Sequence, residues 1–292
     1  MGASAYLRFA ALFAVLTAFL LLVGYVVSYY FLGFGSLAIL AVMVSISIIV
    51  NAVSYFYGPQ MMLRLSKARF VSANELPHVH SALTEISQSA GIATPRLALA
   101  DQPQPNAFTT GRGKNNSVIV VTKGLVSTMN DNEMKAVLAH EVGHVIHRDI
   151  SLSTAASTVA TTITYMADLV FFSMLFGGGG RRGGGAGIFA ALLAPVAATM
   201  VQLAISRGRE FYADEASAKL TGRPDYLISA LTKIEQYIRR GVPMTASPTT
   251  SSMWISNPFR GGSADWFSTH PATQKRIKRL QDMQRKSGVY YA

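Results

Sequence analysis

Four long apolar stretches constrain the fold of this 292-residue chain more than any other feature: residues 7–30, 34–57, 151–176 and 188–205. The first carries only Arg8 as a charge, near its start, and the second is uncharged throughout. A helix crosses the hydrocarbon core of a bilayer with about 20 apolar residues, so each of these two is long enough to span. Between them Tyr29-Tyr30-Phe31-Leu32-Gly33 leaves room only for a tight helical hairpin. A cleavable leader is the alternative for the first stretch, but its apolar run is too long, it lacks a clear small-residue cleavage site, and a second span follows at once. The third stretch is rich in Ser and Thr and contains Asp168; the fourth contains Pro195. They are joined by a glycine-rich loop, Gly177 to Gly185, with Arg181 and Arg182 at its centre. Composition agrees with a chain partly dissolved in lipid: half of it is hydrophobic and 14% is charged, against roughly a quarter in soluble domains.

These stretches divide the chain into an N-terminal transmembrane hairpin (1–57), a first soluble part (58–150), a second hydrophobic hairpin (151–206) and a second soluble part (207–292). Arg64, Lys67 and Arg69 follow directly on the second stretch and by the positive-inside bias place the soluble part in the cytoplasm. If the second hairpin also spans, Arg181 and Arg182 fall on the outer side, against that bias; the alternative is a hairpin packed on the domain or dipping into one leaflet. The net charge of +11 is dispersed over membrane-flanking stretches and the C-terminal tail, which fits anionic membrane lipid better than nucleic acid. There are no cysteines, which excludes disulfide scaffolds and thiolate metal sites, so any metal must be held by His, Asp or Glu.

The chemistry is concentrated in one short run. Asn130 can cap a helix, with Glu133 three residues on as its reciprocal partner. Met134, Val137, Leu138 and Val145 then supply an apolar stripe. On this predicted helix lies His140-Glu141-Val142-Gly143-His144. Residues four apart share one helical face about 6 Å apart along the axis, so the two imidazoles can converge on one zinc ion. Glu141 approaches the ion from the side, where it can act as general base toward a water molecule. A helix with two unrelated surface histidines is the plain alternative, and the motif's position on a predicted helix weighs against it.

A zinc hydrolase needs a third protein ligand and an open fourth position. The candidates are His147, Asp149, Glu210, Asp214 and His270. Glu210 leads: it follows an apolar stretch on a second predicted helix, with Asp214 one turn on, where a carboxylate can orient a ligand histidine through its outer nitrogen. An exposed glutamate beside an unrelated aspartate is the alternative.

With these residues in view, the chain resembles the HtpX-type membrane metallopeptidases, the gluzincin branch that also contains the CAAX prenyl proteases. The resemblance rests on His140 to His144, on Glu210-Phe211-Tyr212-Ala213-Asp214, on Pro105-Asn106-Ala107-Phe108, on Ser268-Thr269-His270-Pro271, and on the order of spans and motifs. It implies a mainly α, multi-span helical membrane protein with a zincin-like α+β catalytic domain carrying a small β-sheet. It further implies a zinc endopeptidase of the bacterial cytoplasmic membrane, its active site facing the cytoplasm, acting on misfolded or damaged membrane proteins.

Two further features take their meaning from that resemblance. Arg96 to Ala100 and Ser117 to Thr122 read as strands, with turns at Gly111-Arg112-Gly113 and Asn115-Asn116. In zincin-like folds such a strand borders the cleft, where an extended peptide pairs with it, which makes Asn106, Ala107 and Phe108 substrate-binding candidates. Phe108 as core and Asn106 as a turn residue is an equal alternative. His270 is a candidate for hydrogen-bonding the developing oxyanion, with Arg276 as a substrate-binding neighbour. Two rivals stand beside the protease reading. In one the motif helix lies within the bilayer, against which Asp131, Glu133, Lys135, Arg148 and Asp149 crowd the motif. In the other the chain is a non-catalytic membrane adaptor, which would hold no stoichiometric zinc.

Overall fold

The structure, a computed structural model, describes residues 7, 10–18, 20–22, 25, 37–147, 150–176, 207–245, 248–258 and 271–286. The glycine-rich loop, the fourth apolar stretch, Arg148, Asp149 and His270 lie outside the described residues, as does the Asp168 side chain. The described chain is mostly helical with one small mixed sheet: α1 (Leu37–Leu65), β1 (Ala68–Phe70), α2 (Pro77–Ser89), β2 (Arg96–Ala100), β3 (Ala107–Gly113), β4 (Asn116–Thr122), α3 (Lys123–Thr128), α4 (Asp131–Ile146), α5 (Ile150–Phe176), α6 (Arg207–Thr221), α7 (Pro224–Arg239), a 3-10 turn (Pro248–Met253) and α8 (Thr273–Lys286).

The sheet order is β1-β2-β4-β3. β2 and β4 are parallel, while β1 and β3 flank them antiparallel. The inner strands read as continuous apolar runs because both faces of the sheet are covered. Leu97, Leu99, Ala107, Ile119 and Val121 join a core with Leu83 and Ile86 of α2, Val137 and Leu138 of α4, and Leu227 and Ile234 of α7. On the other face Ala98, Ala100, Phe108, Val118 and Val120 pack with Met62, at the end of α1, and with Trp254. α4 thus runs through the centre of the domain, and every residue from Ala136 to Val145 is buried.

Among the described residues, one segment is long and apolar enough to cross a membrane, Ala41–Leu65 within α1. Val42, Ile46, Ile48, Ile49, Val53, Phe56 and Tyr57 leave it with an exposed apolar flank. Its other flank lies on α5, closely enough that a Cβ on Gly58 would come within 2.8 Å of Thr158 Oγ1. Leu12, Leu16 and Leu20 of the first apolar stretch pack on Leu152, Ala156, Val159 and Ile163 of α5, and Thr17 shares a 2.6 Å hydrogen bond with Ser47. The first three apolar stretches therefore contact one another. Several threonines of α5 bond their own helix backbone, as Thr158 does with Thr154 O and Thr161 with Ser157 O, while Thr154 shares a hydrogen bond with Thr110 of β3.

Candidate active site

α4 begins as its sequence dictates. The Asn130 side chain accepts from Glu133 N at 2.9 Å, and Glu133 returns a 2.9 Å bond to Asn130 N. This reciprocal cap fixes the register of the helix and the direction of everything one to four turns on. His140 and His144 project from the same face, their rings 4.9 Å apart and perpendicular.

The third member arrives from α6. Gly143 faces α6, and a Cβ placed there would sit 3.0 Å from Ala213 Cα and 3.0 Å from Ala216 Cβ. Small residues on both sides therefore let the two helices meet almost backbone to backbone. Ser217 secures the crossing with a 2.7 Å bond to Ala136 O. This approach brings Glu210 to the histidines: Oε2 lies 3.6 Å from His140 Nε2, and Oε1 lies 3.6 Å from His144 Nε2. One atom from each of the three residues falls within 4.8 Å of the others, and all three residues are buried.

Separations of 3.6 Å are too long for hydrogen bonds. They are close to the roughly 3.3–3.4 Å between neighbouring ligands of a tetrahedral ion with ligand bonds of about 2.0–2.1 Å. Charge points the same way. Glu141, Glu210 and Asp214 place three carboxylates in the interior, against the two guanidiniums of Arg209 and Arg276. That excess of carboxylates over guanidiniums favours one further cation in the cluster, either a proton on His140 or a metal ion in its place. The donor set thus fits a metal ion.

Asp214, one turn beyond Glu210, sits 3.0 Å from His140 Nδ1, which holds the ring with Nε2 turned toward Glu210. Asp214 is in turn gripped by Arg276, whose Nε and Nη2 donate to its two oxygens at 2.9 and 2.7 Å. Burial alone would push the His140 ring down; the neighbouring carboxylates of Asp214 and Glu210 outweigh that and hold its pKa at about 9, with Arg276 opposing. The field that holds a proton there also favours a metal cation in its place. Burial would likewise raise Asp214, but Arg276 and His140 keep its carboxyl below the ordinary range.

Glu141 is 1% exposed. Thr109 of β3 donates to its Oε2 at 2.6 Å and also lies 3.3 Å from its carbonyl oxygen. The other oxygen, Oε1, is buried with no hydrogen-bond partner in the protein. One oxygen is thus anchored by the edge strand, and the second is left to interact with something the protein itself does not supply.

The remaining residues expected at the site are placed as follows. Asn106 is fully buried and donates to Ser256 O at 2.9 Å. Ala107 O accepts from Ile255 N at 2.8 Å. Phe108 is 2% exposed and stacks edge-on against Trp254, 4.6 Å away. The outer edge of β3 at these residues is therefore paired with residues 254–256 of the same chain, and its side chains face the interior. Arg276, expected beside substrate, is 1% exposed and engaged with Asp214 and with Ile255 O. His147 ends α4, its Nδ1 2.7 Å from Gly143 O, away from the cluster of three. Sequence reasoning missed Thr109, the Arg209 bond to Ser153 and the segment at Trp254. Thr109 had a signal, since it follows Phe108 on the same strand and alternation turns it to the opposite face.

A helix presenting His140, Glu141 and His144, with a glutamate delivered by a second helix, defines a metallopeptidase. Residues 73–284 match the family model described as Peptidase family M48, and the chain belongs to that family. It is 39% identical to a protease HtpX homolog of Pyrococcus abyssi, with the whole of both chains covered. It is 42% identical to a protease HtpX homolog of Ralstonia pickettii over 83% of this chain and 86% of that one. Among solved structures it is similar to S. mikatae Ste24p, with TM-score 0.48 and 19% identity, covering 95% of this chain and 65% of that chain.

Proposed function

We propose that this chain is a membrane-anchored zinc endopeptidase that cleaves misfolded or damaged membrane proteins at the cytoplasmic face. The observation that carries the reading is the convergence of His140, His144 and Glu210 within 4.8 Å, beside a buried Glu141 with one unpartnered oxygen. Three nitrogen and oxygen donors without a thiolate, next to a separate carboxylate, suit catalytic zinc. The membrane assignment is supported by Ala41–Leu65, by the contacts among the first three apolar stretches, and by the sequence-based multi-span reading. Arg64, Lys67 and Arg69 support the orientation.

His140, His144 and Glu210 would hold the ion, which when bound polarises the scissile carbonyl and acidifies water. Glu141 accepts the proton from the attacking water at Oε1 while Thr109 keeps Oε2 fixed, and Glu141 then hands that proton to the leaving amine. Asp214 holds the His140 ring in its tautomer, and Arg276 holds Asp214. Burial of the whole cluster keeps these electrostatic interactions strong. Because Asn106 and Phe108 face inward and the strand edge there is paired with residues 254–256, peptide pairing on this strand falls to its backbone beyond Phe108.

Zinc content and proteolysis measured together in detergent test the reading. Glu141→Gln should retain stoichiometric zinc and lose about two to four orders of magnitude in kcat; His140→Ala and Glu210→Ala should lose zinc as well. Wild-type cleavage by Glu141→Gln would refute the mechanism.

A further inference from the structure

The hairpin from β3 to β4 turns at Lys114 and Asn115, between the paired Gly113 and Asn116, and its tip stands beside α1. Between them is a cavity of about 570 Å³ lined by Tyr55, Phe56, Arg112, Lys114, Asn116 and Ser151, among others. That volume is within the range of small-molecule sites. None of the described lining residues is acidic. Among the described residues neither Arg112 nor Lys114 forms an ion pair; the Arg112 guanidinium instead lies 5.8 Å over the Phe56 ring. Elsewhere on the domain several exposed cations are matched, as in Arg69 with Glu75, Lys123 with Asp101 and Lys219 with Glu215.

The position of this unmatched pair gives it meaning. The exposed apolar flank of α1 runs from Val42 to Phe56 and Tyr57 and ends at the cavity. Beyond it α1 exposes Gln60 and Arg64. If α1 spans, the cavity lies at the depth where hydrocarbon gives way to headgroups, the level at which aromatic side chains such as Tyr55, Phe56 and Tyr57 concentrate. A phosphate there would meet two cations that no carboxylate among the described residues neutralises, with rings beside it for the glycerol and upper acyl chain.

We propose that this cavity binds the headgroup of an anionic phospholipid, with Arg112 and Lys114 on the phosphate. The proposal rests on the membrane reading of α1 given above. The chain, purified in an uncharged detergent, is titrated with short-chain phosphatidylglycerol, short-chain phosphatidylcholine and inorganic phosphate, and bound lipid is counted by native mass spectrometry. Phosphatidylglycerol should bind with a stoichiometry of one. The double variant Arg112→Gln/Lys114→Gln should weaken that binding roughly 10- to 30-fold, since each cation near an anionic headgroup contributes about 1 kcal/mol. The charge-matched double variant Lys275→Gln/Lys278→Gln, on exposed positions of α8, should bind as wild type does. Equal binding of the two lipids, equal losses in both double variants, or phosphate binding as tightly as phosphatidylglycerol would each overturn the proposal. Alkaline extraction of cell membranes separates this from the underlying reading: a chain released to the supernatant refutes the membrane anchor, whereas a retained chain without lipid preference refutes only the site.

Discussion

Thr109 and Glu141 are joined by a 2.6 Å hydrogen bond across the junction of the edge strand and the motif helix. The bond spends one carboxylate oxygen and leaves the other unpartnered in the protein, so a two-fold ambiguous group has a single available face. Thr109→Val preserves shape and removes the donor. Its kcat should fall about tenfold, the scale of a misplaced base, with KM and zinc content unchanged. Thr109→Ser should restore activity. A change in KM alone would assign the hydroxyl to substrate instead.

Asp214→Asn tests the support beneath His140. The amide cannot hold the ring as the carboxylate does, and it removes the nearer of the two buried carboxylates that face Arg276. Zinc affinity, measured by chelator competition, should drop about 10- to 100-fold. Unchanged affinity would show that ring orientation is set elsewhere.

Gly143→Val tests how closely α4 and α6 must approach. Even a Cβ meets Ala213 and Ala216 at 3.0 Å, so a branched side chain forces the helices apart and draws Glu210 from the histidines. Unfolding should become easier by about 1–3 kcal/mol, and zinc binding should weaken with it. Gly143→Ala should show a smaller effect of the same kind, read from paired thermal and metal titrations.

Glu133 predicts an acid-sensitive fold. Burial opposes its charge, but bonds from Lys233, Ser229 and Asn130 outweigh burial and lower its pKa from 4.5. A carboxylate with a lowered folded pKa stabilises fully above its unfolded value and loses that contribution as pH falls through the folded one. Glu133→Ala should therefore cost about 1–2 kcal/mol at pH 7. The gap to wild type should close as pH drops below about 4.5, measured by thermal unfolding across pH. A gap constant down to pH 3 would contradict this account.

Local chemistry was legible in the sequence where partners lie within a turn or two. The cap of Asn130 on Glu133, the shared face of His140 and His144, and the pairing of Glu210 with Asp214 all follow from helical spacing. The strands at Arg96–Ala100 and from Ser117 onward could be read from their apolar, β-branched runs, although β3 extends through Gly113, into residues expected to turn. What spacing does not encode is which distant element arrives alongside. Arg276 reads as a substrate-binding neighbour of His270, yet it is buried against Asp214 because α8 packs against α7 and α6. Trp254 sits in a stretch that reads as loop, yet residues 254 and 255 pair with β3. Both depend on contacts between residues more than twenty positions apart, which neither propensity nor periodicity records.

The two halves of the cluster are separated along the chain by α5, which packs against α1 and the N-terminal stretch. A nascent polypeptide has already exposed His140 and His144 when synthesis reaches this helix, but Glu210 emerges only after it. The cluster therefore lacks its third donor until the whole of the intervening apolar segment has been made, so a chain truncated within α5 carries two of the three donors.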